Sequence, residues 1–269
     1  MSSSPTANTD WDAQRYHRVA QPHAAWGANV LDRLQLQGNE VVVDAGAGSG
    51  KVTAQLLERL ARGRVIAADL SPAMLTEARG SLASFSPRVS FVQTDLLDLD
   101  KALEREQQPP VDAVFSTATF HWIDDHARLF AALHRVLKSG GRLVSQFGGG
   151  SNLAGFMRAT DTVAAGPAYR EHLDGKPLWR FYYSADQTRE RLTAAGFNDV
   201  EAWLEDSPQT FADTQSLGDF ARAVVLRNHL NALPEALQDV FLGEVTREVE
   251  RSQGACVLDY VRLNADATA

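Results

Sequence analysis

Three consecutive valines that run into an acid and a glycine-rich turn constrain this chain more than any other feature: Val41-Val42-Val43-Asp44-Ala45-Gly46-Ala47-Gly48-Ser49-Gly50. β-Branched residues stiffen an extended backbone, whereas glycines let the chain reverse and let a ligand approach bare backbone. A short apolar strand, a turn of this kind and then a helical stretch (residues 52–60) open a strand–helix–strand unit with parallel strands. The alternation repeats downstream. Strand-like runs at 65–68, 89–92, 111–115 and 143–147 are separated by helical stretches. Ser71 and Pro72 read as N-cap and first residue of one helix. Asp124 or Asp125 caps another, which is expected to run to Lys138 and stop at Gly140-Gly141. Such strands pair in parallel with both faces covered, and ligands bind outside their carboxyl ends.

The flanks complete the plan. Residues 1–9 are small and polar and are expected to be disordered, and residues 10–36 read as helical. Ser184-Ala185-Asp186-Gln187 is a capping box that opens a helix to Ala195. A sixth strand is expected at 200–204, helices at 215–231 and 234–251, and a last strand at 257–263. The sequence therefore predicts an α/β protein with a doubly wound, mostly parallel, seven-stranded sheet and an α-helical cap inserted near the C-terminus. In this division the core with its N-terminal helical segment is 10–207, the cap 208–253, and the last core strand and tail 254–269.

Charge narrows the function. A net charge of −8 and a pI near 5.4 argue against attraction to nucleic acid phosphates or an anionic membrane, while local arginines still allow an anionic small substrate. The one cysteine, Cys256, sits in an apolar run and reads as a small buried hydrophobe. No run approaches the ~20 apolar residues of a membrane span. No basic segment with an apolar core marks a signal peptide, so a cytoplasmic location is expected.

The glycine loop admits three readings. A P-loop requires a glycine where Ala45 stands and a hydroxyl residue where Val52 stands. A dinucleotide fingerprint starting at Gly46 requires a third glycine where Lys51 stands. The remaining pattern, an acid followed by Gly46-x-Gly48-x-Gly50, resembles the first motif of Rossmann-like, class I S-adenosylmethionine-dependent methyltransferases. That ligand has no pyrophosphate and carries an ammonium and a sulfonium, for which Asp44 supplies negative charge. Asp44 is equally able to order the turn through its backbone amides.

Two more acids follow at strand ends. Asp69 is placed to accept from two adjacent ribose hydroxyls, beside Leu70 and Met74 as apolar surface for adenine; Met74 is as readily plain core. The resemblance implies that Asp95, with Leu96, meets the adenine amino group. It continues through Val111-Asp112-Ala113-Val114-Phe115-Ser116-Thr117 and the Phe120-His121-Trp122 step, and covers about residues 10–150. Thr117 and Trp122 then join the cofactor residues, with S-adenosylhomocysteine as product. His121, at the rim where the methyl group is presented, is the candidate catalytic base or acceptor contact. A packing role serves both aromatic residues as well. Helix capping accounts for Asp124 and Asp125 between His121 and His126, and no metal is expected.

The opening Trp11-Asp12-Ala13-Gln14-Arg15-Tyr16, the Phe120-His121-Trp122 step and the helices between the last strands resemble trans-aconitate methyltransferases. That resemblance implies that Tyr16 and Gln21 close over the cofactor and that Arg222, Arg227 and His229, on one helix, bind an anionic acceptor. The expected function is methyl transfer to a small molecule, at an oxygen, with carboxylates among the candidates. N- or C-methylation of a secondary metabolite or lipid precursor and non-catalytic binding of S-adenosylmethionine stay open. Nucleic acid is not expected as acceptor: Ser116-Thr117-Ala118-Thr119 stands where an Asn-Pro-Pro-Tyr-type motif grips a flipped base.

Overall fold

The computed structural model describes residues 21–269, with side chains from Gly27 onward. The expected tail, and Tyr16, lie outside the described residues. So does the side chain of Gln21, whose backbone opens the first helix, Gln21–Arg33 (α1).

Parallel strands build the first unit. Val41–Ala45 (β1) pairs with Arg64–Asp69 (β2) on one side and Val111–Thr117 (β4) on the other, and Val89–Gln93 (β3) extends the sheet beyond β2. With Leu137–Gly148 (β5), Asn198–Asp206 (β6) and Val261–Thr268 (β9), the order is β3-β2-β1-β4-β5-β9-β6. Val42 and Val43 of β1 are fully buried because neighbouring strands and helices cover both faces, whereas Val41 at the strand start is half-buried. Helices Lys51–Arg59 (α2), Pro72–Ser81 (α3), Leu99–Arg105 (α4), His126–Val136 (α5) and Ala185–Ala194 (α8) alternate with the strands. Val30 and Leu31 of α1 and Leu56 and Leu57 of α2 close one cluster over Val42, Phe115 and Val144. Strand order reverses at β1, whose two parallel neighbours lie on opposite sides. A crevice therefore opens at its carboxyl end.

The helix expected to reach Lys138 stops at Val136, and β5 begins at once. Gly140-Gly141 does not end a helix; it lies in an irregularity of β5, where the pairing with β4 jumps from Val111–Leu137 to Ala113–Arg142. Gly140 has φ +76°, and its N–H donates to the Ala269 carbonyl at 2.7 Å, while the Ala269 N–H returns to Gly141 at 2.8 Å. These bonds join the start of β5 to the end of β9, so β9 runs antiparallel to β5. Asp125, not Asp124, caps α5 through the Arg128 N–H.

A second unit comprises 148–183 and 204–263. It contains helices Ala154–Ala164 (α6), Pro167–Leu173 (α7), Thr214–Val224 (α9), Arg227–Ala232 (α10) and Glu235–Gln253 (α11). Gln209–Thr210 (β7) pairs antiparallel with Val257–Leu258 (β8). The expected core segment 10–207 thus gives 148–183 to this unit. The reason is long-range. α6 packs on α11, and the Asp259 carboxylate accepts from the Gly155 and Phe156 N–H groups at the start of α6. The helix expected over 215–231 is broken into α9 and α10. Arg180 donates to the Val224 and Val225 carbonyls, which satisfies the end of α9 where the chain turns. No described helix is long and apolar enough to cross a membrane.

Candidate active site

The turn after β1 is shaped by contacts from three strand ends. Gly46 and Ala47 donate N–H bonds to the Ala68 carbonyl, and the Gly48 N–H donates to Asp69 Oδ2 at 2.9 Å. Gly46 has φ +88°, and a Cβ built there would lie 2.2 Å from Thr119 Oγ1. Only glycine fits between those constraints. At Gly48, also left-handed, a Cβ would meet nothing within 4 Å, so this stretch of backbone faces open space. Gly50, left-handed as well, is the N-cap residue of α2.

Asp44 is 2% exposed. Its Oδ2 accepts from Thr53 Oγ1 at 2.7 Å, and no described cation pairs with it. Burial, partly offset by Thr53 and reinforced by the charge of Asp69, pushes its pKa up to about 7. Asp69 accepts from Gly48 and Ser71 N–H groups, and burial raises its pKa against those bonds. Two neighbouring carboxylates in a crevice, one deeply buried without a counter-cation, are a donor set that a cation completes. The ammonium and sulfonium of S-adenosylmethionine fit it, and Asp69 keeps lone pairs for hydroxyl donors. Asp95 is exposed after β3. Its Oδ1 caps the short turn Leu96–Asp98 through the Leu97 N–H. Leu70 is 49% exposed, whereas Met74 and Leu96 are buried, which fits the core role for Met74.

The exit of β4 forms the other wall. Ser116 Oγ donates to the Ala45 carbonyl at 2.7 Å, and Thr119 Oγ1 donates to the Thr117 carbonyl at 2.9 Å and approaches the Gly46 carbonyl at 3.4 Å. Between the threonines Ala118 takes φ +54°, uncommon for a residue with a side chain, and its N–H bonds the Gln146 carbonyl at 2.8 Å. The turn Phe120–Trp122 follows. His121 is 8% exposed, and its ring centroid lies 5.7 Å from that of the half-buried Trp122. Sequence reasoning missed what holds this turn. His126, fully buried, bonds the Phe120 carbonyl through Nε2 at 2.9 Å and packs edge-on against Phe130 and Phe147. Burial depresses its pKa to about 4, so it is a neutral donor at physiological pH. Replacing it by leucine keeps apolar volume but leaves the Phe120 carbonyl without this donor. We expect His126→Leu to lower stability by about 1–3 kcal/mol in urea titrations; an unchanged midpoint would refute this role.

In the second unit the three expected anion ligands do not share a helix. Arg222 lies on α9 and is paired with Asp239. Arg227 and His229 lie on α10. His229 is 1% exposed, set edge-on to Trp179 at 4.5 Å and stacked on Phe241 at 6.3 Å. Burial and the neighbouring Arg180 hold its pKa down to about 3, so it brings no positive charge to an anion.

Residues 42–141, which build the crevice, match the model of a methyltransferase domain. Along nearly its whole length the chain is similar to trans-aconitate 2-methyltransferases. It is 31% identical over 261 residues to that of Methylobacterium nodulans, with 94% of this chain and 96% of the relative covered. It is 30% identical over 261 residues to that of Azoarcus sp., with the same coverage of both chains. Phosphoethanolamine N-methyltransferase 2 of Haemonchus contortus has been solved with phosphomonomethylethanolamine and S-adenosylhomocysteine. It shares the fold at a TM-score of 0.59 and 18% identity, over 96% of this chain and 57% of that one.

Proposed function

Because the chain belongs to the family of S-adenosylmethionine-dependent methyltransferases that includes the trans-aconitate 2-methyltransferases, we propose that it methylates a carboxylate oxygen of a small organic acid. The observation that carries this reading is the extent of the similarity. It covers 94% of the chain, well past the methyltransferase domain at 42–141.

When bound, S-adenosylmethionine supplies an activated methyl group whose carbon–sulfur electron pair returns to sulfur as the acceptor oxygen forms its bond. Asp44 and Asp69 would hold the cofactor's charged and hydroxyl groups, and the open backbone at Gly48 would lie against it. The acceptor needs no base. A carboxylic acid of pKa about 4 is already ionised near neutrality, so the protein's task is to orient one oxygen in line and exclude water. His121 then acts as an orienting contact, and the turn held by His126 sets its position.

The test is incubation of the protein and S-adenosylmethionine with mono-, di- and tricarboxylic acids, phenols and amines. The expected product is a methyl ester that alkali cleaves. Products that resist alkali, as N- and C-methyl groups do, would overturn the proposal. With a carboxylate acceptor, His121→Ala should lower kcat by less than about tenfold; loss of a general base costs about 10²–10⁴.

A further inference from the structure

A buried acceptor stands unused near the carboxyl end of β5. Gln146 is 5% exposed, and its Oε1 has no hydrogen-bond partner among the described residues. Its Nε2 donates to Asn264 Oδ1 of β9 at 2.9 Å, across a separation of 118 residues. Nitrogen and oxygen of an amide diverge from one carbon, so this bond turns Oε1 away from Asn264. The main-chain carbonyl of Gln146 accepts the N–H of Ala118, the residue of φ +54° between the two threonines of the β4 exit. A buried oxygen without a donor is unfavourable, and a ligand that brings a donor relieves it.

The register fixes what Gln146 stands beside. Asp44 pairs with Phe115 and Phe115 with Val144, while Thr117 pairs with Gln146 two residues further along the same two strands. Side chains two apart in a strand share a face, and neighbouring strands lie about 4.8 Å apart. Asp44, Thr117 and Gln146 therefore stand on one face of the sheet, with Gln146 two strands, roughly 10 Å, from β1. Asp69 ends β2, on the opposite side of β1. A nucleoside whose ribose is held at Asp69 thus extends its amino-acid arm across β1 toward β4 and β5. S-adenosylmethionine has N–H and O–H donors at the adenine amine, the ribose and the α-ammonium, and the first two belong to the nucleoside end. We propose that the α-ammonium is shared between Asp44 and Gln146 Oε1, and that Asn264 is the positioning residue that aims the amide. This rests on the cofactor site described above and deepens it, by extending recognition to β5 and β9, beyond the glycine turn and the strand-end acids.

Calorimetric titration of S-adenosylhomocysteine, and of a deaminated analogue with hydrogen in place of the α-ammonium, tests the assignment without turnover. Gln146→Leu, which keeps volume but no acceptor, is expected to weaken S-adenosylhomocysteine about tenfold or more and the deaminated analogue less than about twofold. Gln146→Glu restores an acceptor and should bind S-adenosylhomocysteine within about threefold of wild type at pH 8. Asn264→Ala, which leaves the amide in place but unaimed, should fall between wild type and Gln146→Leu, again for the ammonium-bearing ligand alone. If Gln146→Leu does not fold, Asn264→Ala carries the same comparison between the two ligands. Equal weakening of both ligands, or S-adenosylhomocysteine bound by Gln146→Leu as by wild type, would overturn the assignment. In the latter case a raised KM for the methyl acceptor would give the amide to the acceptor instead. Absence of S-adenosylhomocysteine binding to wild type removes the cofactor site and this assignment together. Binding that is lost with Asp44→Asn but ignores Gln146 leaves the cofactor site standing and removes only the amide from it.

Discussion

Gly46→Ala is expected to reduce S-adenosylmethionine affinity by at least about 100-fold, or about 2.7 kcal/mol, and to destabilise the fold by about 2–4 kcal/mol. Two separate costs meet at this position. Its φ of +88° is one that L residues rarely adopt, at about 1–2 kcal/mol. The added methyl group would also lie 2.2 Å from Thr119 Oγ1, 2.4 Å from Cγ2 and 2.7 Å from Cβ, so the loop or the exit of β4 must move. Two controls separate these costs. Gly48→Ala, with φ +55° and nothing within 4 Å of its Cβ, should lose only about 1 kcal/mol of stability. Gly46→Ala combined with Thr119→Gly removes the collision and should recover much of the deficit that Gly46→Ala alone shows. Urea titration gives the stability and calorimetry the affinity. If Gly46→Ala binds within threefold of wild type, the contact with Thr119 does not shape the site.

That contact marks where reading the sequence stops. Asp44, Gly46, Gly48 and Gly50 are adjacent in the chain, so strand, turn and helix could be read from one decapeptide. Asp69 ends an apolar run short enough to be a strand, so a carboxylate at that strand end can be read from the sequence. Thr119 is 73 residues from Gly46, and nothing in its neighbourhood announces the approach. The same holds for Asp259, which caps a helix over a separation of 104 residues, and so 148–183 read as core. Gly140-Gly141 after an amphipathic helix carries a strong stop signal. Pairing with Ala269, at the other end of the chain, turns it into a strand irregularity. The 215–231 stretch keeps helical periodicity across Val225. The break depends on a guanidinium from residue 180, and with it the expected single face of Arg222, Arg227 and His229 disappears. His229, expected as an anion ligand, is instead closed in by Trp179 and Phe241.

The second large effect is expected at Asp44, and it is a dependence on pH. Its folded pKa of about 7, against an ordinary 3.8, means that the native state without cofactor holds a proton that the unfolded chain has lost between about pH 4 and 7. Stability from this group therefore falls as pH rises through that window, by about 4 kcal/mol in full. Asp44→Asn removes the charge, can still accept from Thr53, and should make the ligand-free protein more stable than wild type at pH 8. Near pH 4 the two should converge. His126 and His229, with pKa values held down to about 4 and about 3, work in the opposite direction, favouring the native state as pH rises; they cancel in the difference between wild type and variant. A cationic ligand reverses the preference at Asp44, because it stabilises the carboxylate. Binding should then release a proton, and the affinity of wild type for S-adenosylmethionine should rise about tenfold per pH unit between pH 5.5 and 7 before levelling. Asp44→Asn should flatten that slope and bind about 100-fold more weakly at pH 7.5, while matching wild type more nearly at pH 5.5. Calorimetry in buffers of different ionisation enthalpy counts the released proton directly. A wild-type affinity that does not change between pH 5.5 and 7.5 would mean that the buried acid does not face the cation, and that Asp69 alone carries the charge complementarity of the site.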